Sequence, residues 1–264
     1  MLPPLTKSRP GALMIEKAEA VVLKTLNHGD TSKIITLYSK ELGRLKLIAK
    51  GVRSPRSKAM GLFQPTRHIQ VIYYFKANAG LQMFKSGELV NGFFGLEEDF
   101  DRLTLAQVVV ELLDRSVEDQ ESHPKLFQLL VDTLGRLSNK EITSAEAYWF
   151  FHAHLLRELG FRPHVAHCSI CREPLNNGGS LGVGSSHLEC VKCHLPGQDS
   201  LFVSTTVLQA LQNILDKPWD EIEKTKLNSR ERRMLWDFLW RFTFHHMESS
   251  RGMKSLKVLK QLYD

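Results

Sequence analysis

All four cysteines of the chain fall in one stretch, HCSICREPLNNGGSLGVGSSHLECVKCH, residues 167 to 194. Cys168 and Cys171 form one C-x-x-C, and Cys190 and Cys193 form a second, with eighteen residues between the pairs. Two residues between cysteines let a tight turn aim both sulfurs at one ion. A hairpin between the pairs then brings up the other two, and Asn176-Asn177-Gly178-Gly179 supplies turn residues for it. The chemistry this fits is a structural Zn2+, one ion held by four thiolates at about 2.3 Å. Four thiolates close the coordination sphere and leave no position for water or substrate, so the ion holds a lobe together.

Other chemistries suit the same residues less well. Cys190-Val191-Lys192-Cys193-His194 matches the C-x-x-C-H of haem attachment but leaves Cys168 and Cys171 unexplained and wants an export signal. His187-Leu188-Glu189 has the H-x-E form of zinc deaminases, where the cysteine pair lies well downstream after a proline; here Cys190 follows at once. Two disulfides are conceivable, yet four cysteines in 264 residues is not a disulfide-dense composition. His164, His167, His187 and His194 crowd the site, and one in place of a cysteine ligand is the alternative to surface or supporting roles. No nucleotide-binding, nucleophile-elbow or zinc-protease motif occurs elsewhere. Adjacent His245 and His246, and His152 and His154, lack the i, i+4 spacing that chelates one ion on a helix. The expectation is a protein that is not an enzyme.

The charge is segregated. The chain carries a formal +6 and a pI near 9.1. Residues 24 to 86 hold twelve Lys and Arg against two acids, Asp30 and Glu41, a balance of +10, so the remainder sums to −4. Such concentration favours a polyanionic partner. No apolar run approaches the roughly 18 residues of a membrane span. The opening MLPPLTKSRPGALMIE is too rich in proline for a signal peptide and reads as a disordered leader. Thiols reserved for a metal agree with a reducing cytoplasm.

The elements that position these residues divide at about residue 88. Strand patterns run through Ala20–Leu26, Lys33–Tyr38, Arg44–Leu47, Arg67–Phe75 and Gly80–Ser86. Alternation places Arg44 and Lys46 on one face and Leu45 and Leu47 on the other. Five short strands without a helix predict a small closed barrel of OB-fold type. Beyond it the period is helical: a helix capped by Asp99 or Asp101 with the stripe Leu103, Ala106, Val110, Leu113 and Val117; one opened by Pro124; one with the capping box Thr143/Glu146, ended by Gly160; one capped by Ser204; and one with the box Asn228/Glu231. A short basic helix from Gly252 to Leu259 closes the series. The predicted fold class is thus α+β multidomain: leader 1–14, OB-fold barrel 15–88, helical domain 89–160, zinc lobe 161–202, and the rest of the helical domain 203–264.

The basic barrel reads as a nucleic-acid site, with cations following phosphates and aromatics stacking on bases. Lys33, Arg44, Lys46, Lys50, Arg53, Arg56 and Lys58 are the candidate DNA contacts, and Tyr38, Phe63, Tyr73, Tyr74, Phe75 and Phe84 the pool from which one or two surface stackers would come.

Several segments resemble the bacterial recombination-mediator family RecO: AVVLKTLNHGDTSKIITLYSKELGRLKLIAKGVRSPRSK with Gly43-Arg44-Leu45 and Ala49-Lys50-Gly51-Val52-Arg53, Gln64-Pro65, Ser86-Gly87-Glu88-Leu89, LLRELGFRPHVAHCSIC, and Lys254-Ser255-Leu256-Lys257. The resemblance covers about residues 15 to 264. It implies an OB barrel, a helical domain with an embedded zinc lobe, and a function without bond chemistry. That function is binding of single- and double-stranded DNA, annealing of strands coated by single-stranded DNA-binding protein, and, with RecR, loading of RecA in repair and recombination of the RecF pathway. It further implies a bacterial cytoplasmic, nucleoid-associated protein. Arg230, Arg232, Arg233, Lys254 and Lys257 are candidates to meet the acidic tail of the single-stranded DNA-binding protein, or form a solvated face. The other classes are an RNA-binding OB and zinc protein of translation, and a zinc-dependent enzyme acting on nucleic acid.

Overall fold

A computed structural model describes residues 14–57, 59–140, 142–182, 184–195, 199–221, 226–256 and 258. The leader through residue 13 lies outside these, and so do Lys58 and Lys257. The chain divides into two compact units, one of residues 14–94 with 117–131, the other of 95–116 with 132 onward.

The first unit is a closed five-stranded barrel, in the order β1-β2-β3-β5-β4. Its strands are β1 (Met14–His28), β2 (Ser32–Ser39), β3 (Gly43–Ala49), β4 (His68–Phe75) and β5 (Gln82–Asn91). The first strand begins at Met14 rather than near Glu19, because its leading half pairs with β4, from Met14 opposite Phe75 to Val21 opposite His68. Its second half pairs with β2, and a bulge between Val22 and Lys24 turns the corner from one partner to the other. The ring closes through a short parallel contact of β3 with β5, Leu47 opposite Gln82 and Ile48 opposite Met83. Alternate residues fill the interior: Ala18, Ala20 and Val22, then Ile35 and Leu37, Leu45 and Leu47, Ile69, Val71 and Tyr73, with Phe63 from the β3–β4 connection packed among them.

The second unit is helical. Its helices include α1 (Phe100–Ser116), α3 (Ser144–Glu158), α4 (Thr205–Asp216) and α5 (Ser229–His246), while α2 (Pro124–Asn139) contains the division between the units. The predicted caps form. Thr143 and Glu146 make a reciprocal capping box, as do Asn228 and Glu231, and the Ser204 side chain accepts from the N–H of Val207. Asp99 rather than Asp101 opens α1, its carboxylate accepting from the N–H of Arg102 at 3.1 Å. Gly160, at φ +85°, ends α3 with the N–H of Phe161 bonded back to the carbonyl of Leu156. Helix α1 buries far more than the expected stripe, from Thr104 to Ala106, Val108 to Val110, Leu112 and Leu113.

Two buried histidines bind this unit together. His152 bonds Tyr148 Oη at 2.8 Å and Thr243 Oγ1 at 2.6 Å, and His154 Nε2 donates to the carbonyl of Ile214 at 2.7 Å. Burial brings His152 down to about 3 and His154 down to about 4, so both are neutral. The Glu111 carboxylate accepts from the backbone N–H groups of Lys254 and Ser255 and from the Ser255 hydroxyl, and it caps the helical turn there.

Between α3 and α4 the chain forms a three-stranded sheet ordered β7-β6-β8, of β6 (Gly179–Gly182), β7 (Leu188–Glu189) and β8 (Ser200–Val203). The Asn176–Gly179 run is the turn into β6, with Gly178 at φ +81°.

Candidate metal centre and nucleic-acid interface

Strand β7 delivers Cys190 directly after Glu189, and the N–H of Ser169 donates to the carbonyl of Leu188 at 2.9 Å, docking the first cysteine turn on the same strand. In that turn the N–H of Arg172 returns to the carbonyl of Cys168, with Arg172 in the left-handed region. In the second, the N–H groups of Cys193 and His194 both return to the carbonyl of Cys190. The four sulfurs of Cys168, Cys171, Cys190 and Cys193 all lie within 4.8 Å of one another. None is in a disulfide, and the Cys171–Cys190 separation is 3.7 Å. A tetrahedron with metal–sulfur distances of about 2.3 Å has edges of about 3.8 Å. The thiols therefore fit a zinc-sized ion.

The electrostatics fit as well. Burial of Cys168 opposes its ionisation, but backbone N–H groups, that of Cys190 foremost, outweigh it and bring this thiol down to about 6. The Cys190 N–H lies 3.3 Å from that sulfur. Cys193 is pushed up to about 12 by hydrogen bonds with the sulfurs of Cys171 and Cys190. One thiolate forms readily, and a cation must supply the charge that removes the later protons.

None of the four nearby histidines joins this cluster. His194 is held by Glu189 at 3.2 Å and Ser200 at 3.0 Å. His164, His167 and His187 are exposed. Among the described residues the cysteine quartet is the one grouping of His, Cys, Asp or Glu arranged to hold a metal ion.

The candidate DNA contacts fall into two groups, a division that sequence alone does not convey. Lys33 pairs with Ala49, beside Lys50, at one end of the barrel. The loop after β3 folds against the β1–β2 turn at that end, where the Arg53 N–H donates to the carbonyl of Thr31 and its guanidinium to the carbonyl of Gly29, at 2.9 and 3.1 Å. Lys50, Arg53 and Arg56 are exposed there, with Asp30 in the facing turn.

Arg44 and Lys46 lie on the barrel flank, on the outward face as their alternation predicts. Both bind the carboxylate of Asp119, Arg44 through Nε and Lys46 through Nζ at 2.9 Å. This trio carries a net charge of +1 rather than +2. Partial burial raises the Asp119 carboxyl, but hydrogen bonds from Lys46 and Arg44 outweigh it and hold the group below its ordinary range. The segment bearing Asp119 is also joined by its backbone, the N–H of Gln120 donating to the carbonyl of Arg44. Gly43, at φ +67°, permits this approach, since a Cβ there would collide with the carbonyl of Glu121.

Most of the aromatic pool is withdrawn from solvent. Tyr38, Phe63 and Tyr73 are fully buried, and Phe75 and Phe84 pack against the barrel core. The barrel interior needs their volume, and none of the three buried rings can stack on a base. Tyr74 remains, half-buried, with the Lys85 ammonium 5.8 Å from its ring centre.

Arg230, Arg232 and Arg233 are exposed in the first two turns of α5. Three cations there oppose the helix dipole, which favours acids at that end; the Asn228/Glu231 box offsets part of the cost. Lys254 is exposed on the turn capped by Glu111, outside α5.

Comparison with known families extends over both units. Residues 14–93 match the family model for the recombination protein O N terminal region, and residues 97–257 that for its C terminal region. Among curated relatives, DNA repair protein RecO of Pelodictyon phaeoclathratiforme is 27% identical over 266 residues, covering 94% of this chain and 99% of the relative. The RecO of Alkaliphilus metalliredigens is 26% identical over 249 residues, covering 94% and 100%. That of Salinibacter ruber is 34% identical over 151 residues, covering 57% and 58%.

Proposed function

The chain belongs to the RecO family of DNA repair proteins, and from that premise we propose that it binds DNA at the basic end of its barrel and anneals complementary strands. The substrate strands are single strands coated by single-stranded DNA-binding protein, and with RecR the protein helps to load RecA. The observation that carries this reading is the gathering of Lys33, Lys50, Arg53 and Arg56 around one end of a closed OB-type barrel. Cations held there neutralise phosphates on a strand, lower the repulsion between two strands and let base pairing drive the rest. With the buried aromatics inside the barrel, backbone charge dominates and binding is largely independent of sequence.

The four cysteines hold a single Zn2+, which closes the lobe between α3 and α4 and takes no part in bond chemistry. Arg230, Arg232, Arg233 and Lys254, together with Lys257, receive the acidic tail of the single-stranded DNA-binding protein. The protein works in the bacterial cytoplasm and catalyses no covalent step.

The test is the annealing rate of two complementary oligonucleotides coated with single-stranded DNA-binding protein, without nucleotide. The wild type is expected to accelerate annealing, and Arg53→Ala/Arg56→Ala to lose most of that acceleration and about 1.4 of the slope of log affinity against log salt. A folded, metal-loaded wild type that does not anneal would overturn the reading; equal rates for both proteins would move the DNA path off the barrel end.

A further inference from the structure

The second unit contains a cleft of about 840 Å³ between the segment following α3, the cysteine lobe and α5. That volume lies within the roughly 300–1,000 Å³ of small-molecule sites. Arg162, His164, His167, Arg172, His187 and His246 contribute to its lining, and among the described residues no Asp or Glu does. Of the lining residues, Arg162 and Gln212 are engaged by Asp216, at 2.5 Å each. The apolar part of the lining includes Phe161 and Phe242, whose rings lie 4.7 and 4.6 Å from that of His246. His246 Nε2 is buried with no hydrogen-bond partner among the described residues. The histidines do not gather their nitrogens around a point as metal ligands would, since among the described residues the cysteines alone do so.

A lining of cations and hydrogen-bond donors beside an aromatic wall calls for an anion joined to a flat ring. We propose that this cleft binds a nucleotide unit of single-stranded DNA, its phosphate on the Arg172–His187 side and its base against the Phe161–His246 wall. An acidic peptide would satisfy the cations but leave the aromatic wall unmatched. The inference rests on the DNA-binding reading and deepens it. Annealing requires two strands, and the cleft supplies a DNA site on the unit that does not contain the barrel.

The test uses the full-length, zinc-loaded chain and a single-stranded oligonucleotide carrying 5-iododeoxyuridine, with the photocrosslinked peptides identified by mass spectrometry. Crosslinks are expected both near the barrel end and at the peptide containing Phe161 or His187. His164→Glu/His187→Ala, its zinc content checked as well, alters two exposed side chains that are not part of the cysteine cluster. It should cut the cleft crosslink about tenfold, the size of one lost stacking or phosphate contact, and leave the barrel crosslink in place. Arg172→Gln, checked for zinc content, should do the same, and Arg53→Ala/Arg56→Ala should spare the cleft crosslink. Crosslinks confined to the barrel, or a cleft crosslink indifferent to these variants, would overturn the inference while leaving the barrel reading intact. Protection of the cleft by an acidic peptide but not by oligonucleotide would overturn it in favour of a protein partner. Failure to bind DNA anywhere would remove both readings.

Discussion

Replacing Asp119 by Asn tests whether the barrel flank belongs to the DNA path. In the native protein its carboxylate holds Arg44 and Lys46 together. The amide keeps the shape and one acceptor oxygen but returns one net positive charge to the flank. The Asp119 side chain is 48% exposed, so solvent screens the pairs and each is worth at most about 1 kcal/mol. The stability cost should be no more than about 1–2 kcal/mol, and the fold should survive. For DNA the sign is opposite. One additional phosphate contact on a single strand steepens the salt dependence by about 0.7, which at 0.1 M salt corresponds to roughly fivefold tighter binding. Fluorescence anisotropy with a labelled oligonucleotide from 50 to 200 mM salt measures both quantities, with a denaturant titration alongside to confirm folding. An Asp119→Asn protein that is folded yet binds with unchanged affinity and slope would refute the assignment of Arg44 and Lys46 to the DNA path. The end group of Lys33, Lys50, Arg53 and Arg56 would then carry the interaction alone.

Two further outcomes follow from the second unit. Cys168→Ser should abolish stoichiometric zinc and lower the melting temperature, because a structural zinc contributes on the order of 10 kcal/mol of apparent binding free energy; an unchanged melting curve in the metal-free variant would contradict a structural ion. His152 and His154 take up protons in the unfolded chain near pH 6.5 but stay neutral in the fold to about 3 and about 4. Their stability contribution is therefore full above pH 6.5 and lost as the pH falls toward those values. Between pH 7 and pH 5 the pair should cost about 3–4 kcal/mol, and His152→Gln should flatten this dependence in denaturant titrations at the two pH values.

How much of this was legible in the sequence depends on the range of the interaction concerned. The cysteine pairs announced themselves because both halves of the site are short local turns of fixed spacing. The caps at Thr143, Ser204 and Asn228 were equally plain, since a cap is a contact across three residues. The extents of β1 and β5 were not. The start of β1 at Met14 is decided by its pairing with β4, more than fifty residues on, and β5 continues through Gly87 because β4 is there to receive it. At Gly87 a side chain would press into the carbonyl of Gln70. Helix α1 was read too narrowly because a helix covered on several sides loses the polar face that makes a stripe visible. The Asp119 bridge spans 75 residues to Arg44, and no pattern in either segment points to the other. The sequence counted Arg44 and Lys46 as two charges on the correct face, whereas the fold makes them a shared pair. The buried tyrosines show the complementary failure: composition alone does not separate a ring that fills a barrel from one that meets a base.

The barrel unit is discontinuous in the chain, since residues 117–131 belong to it although 95–116 do not. A chain emerging from the ribosome amino end first, at about 5–20 residues per second, exposes all five strands before the piece that completes their unit. Helix α1 must emerge in the interval, with Leu105, Val108, Val109, Leu112 and Leu113 to be covered and without α3 to α5 yet made. The barrel can close early, but the strap carrying Asp119 seats only after α1 is already in the open. Synthesis thus passes through a stage at which a finished barrel carries an unburied helix, and that interval is where a nascent-chain chaperone has most to cover.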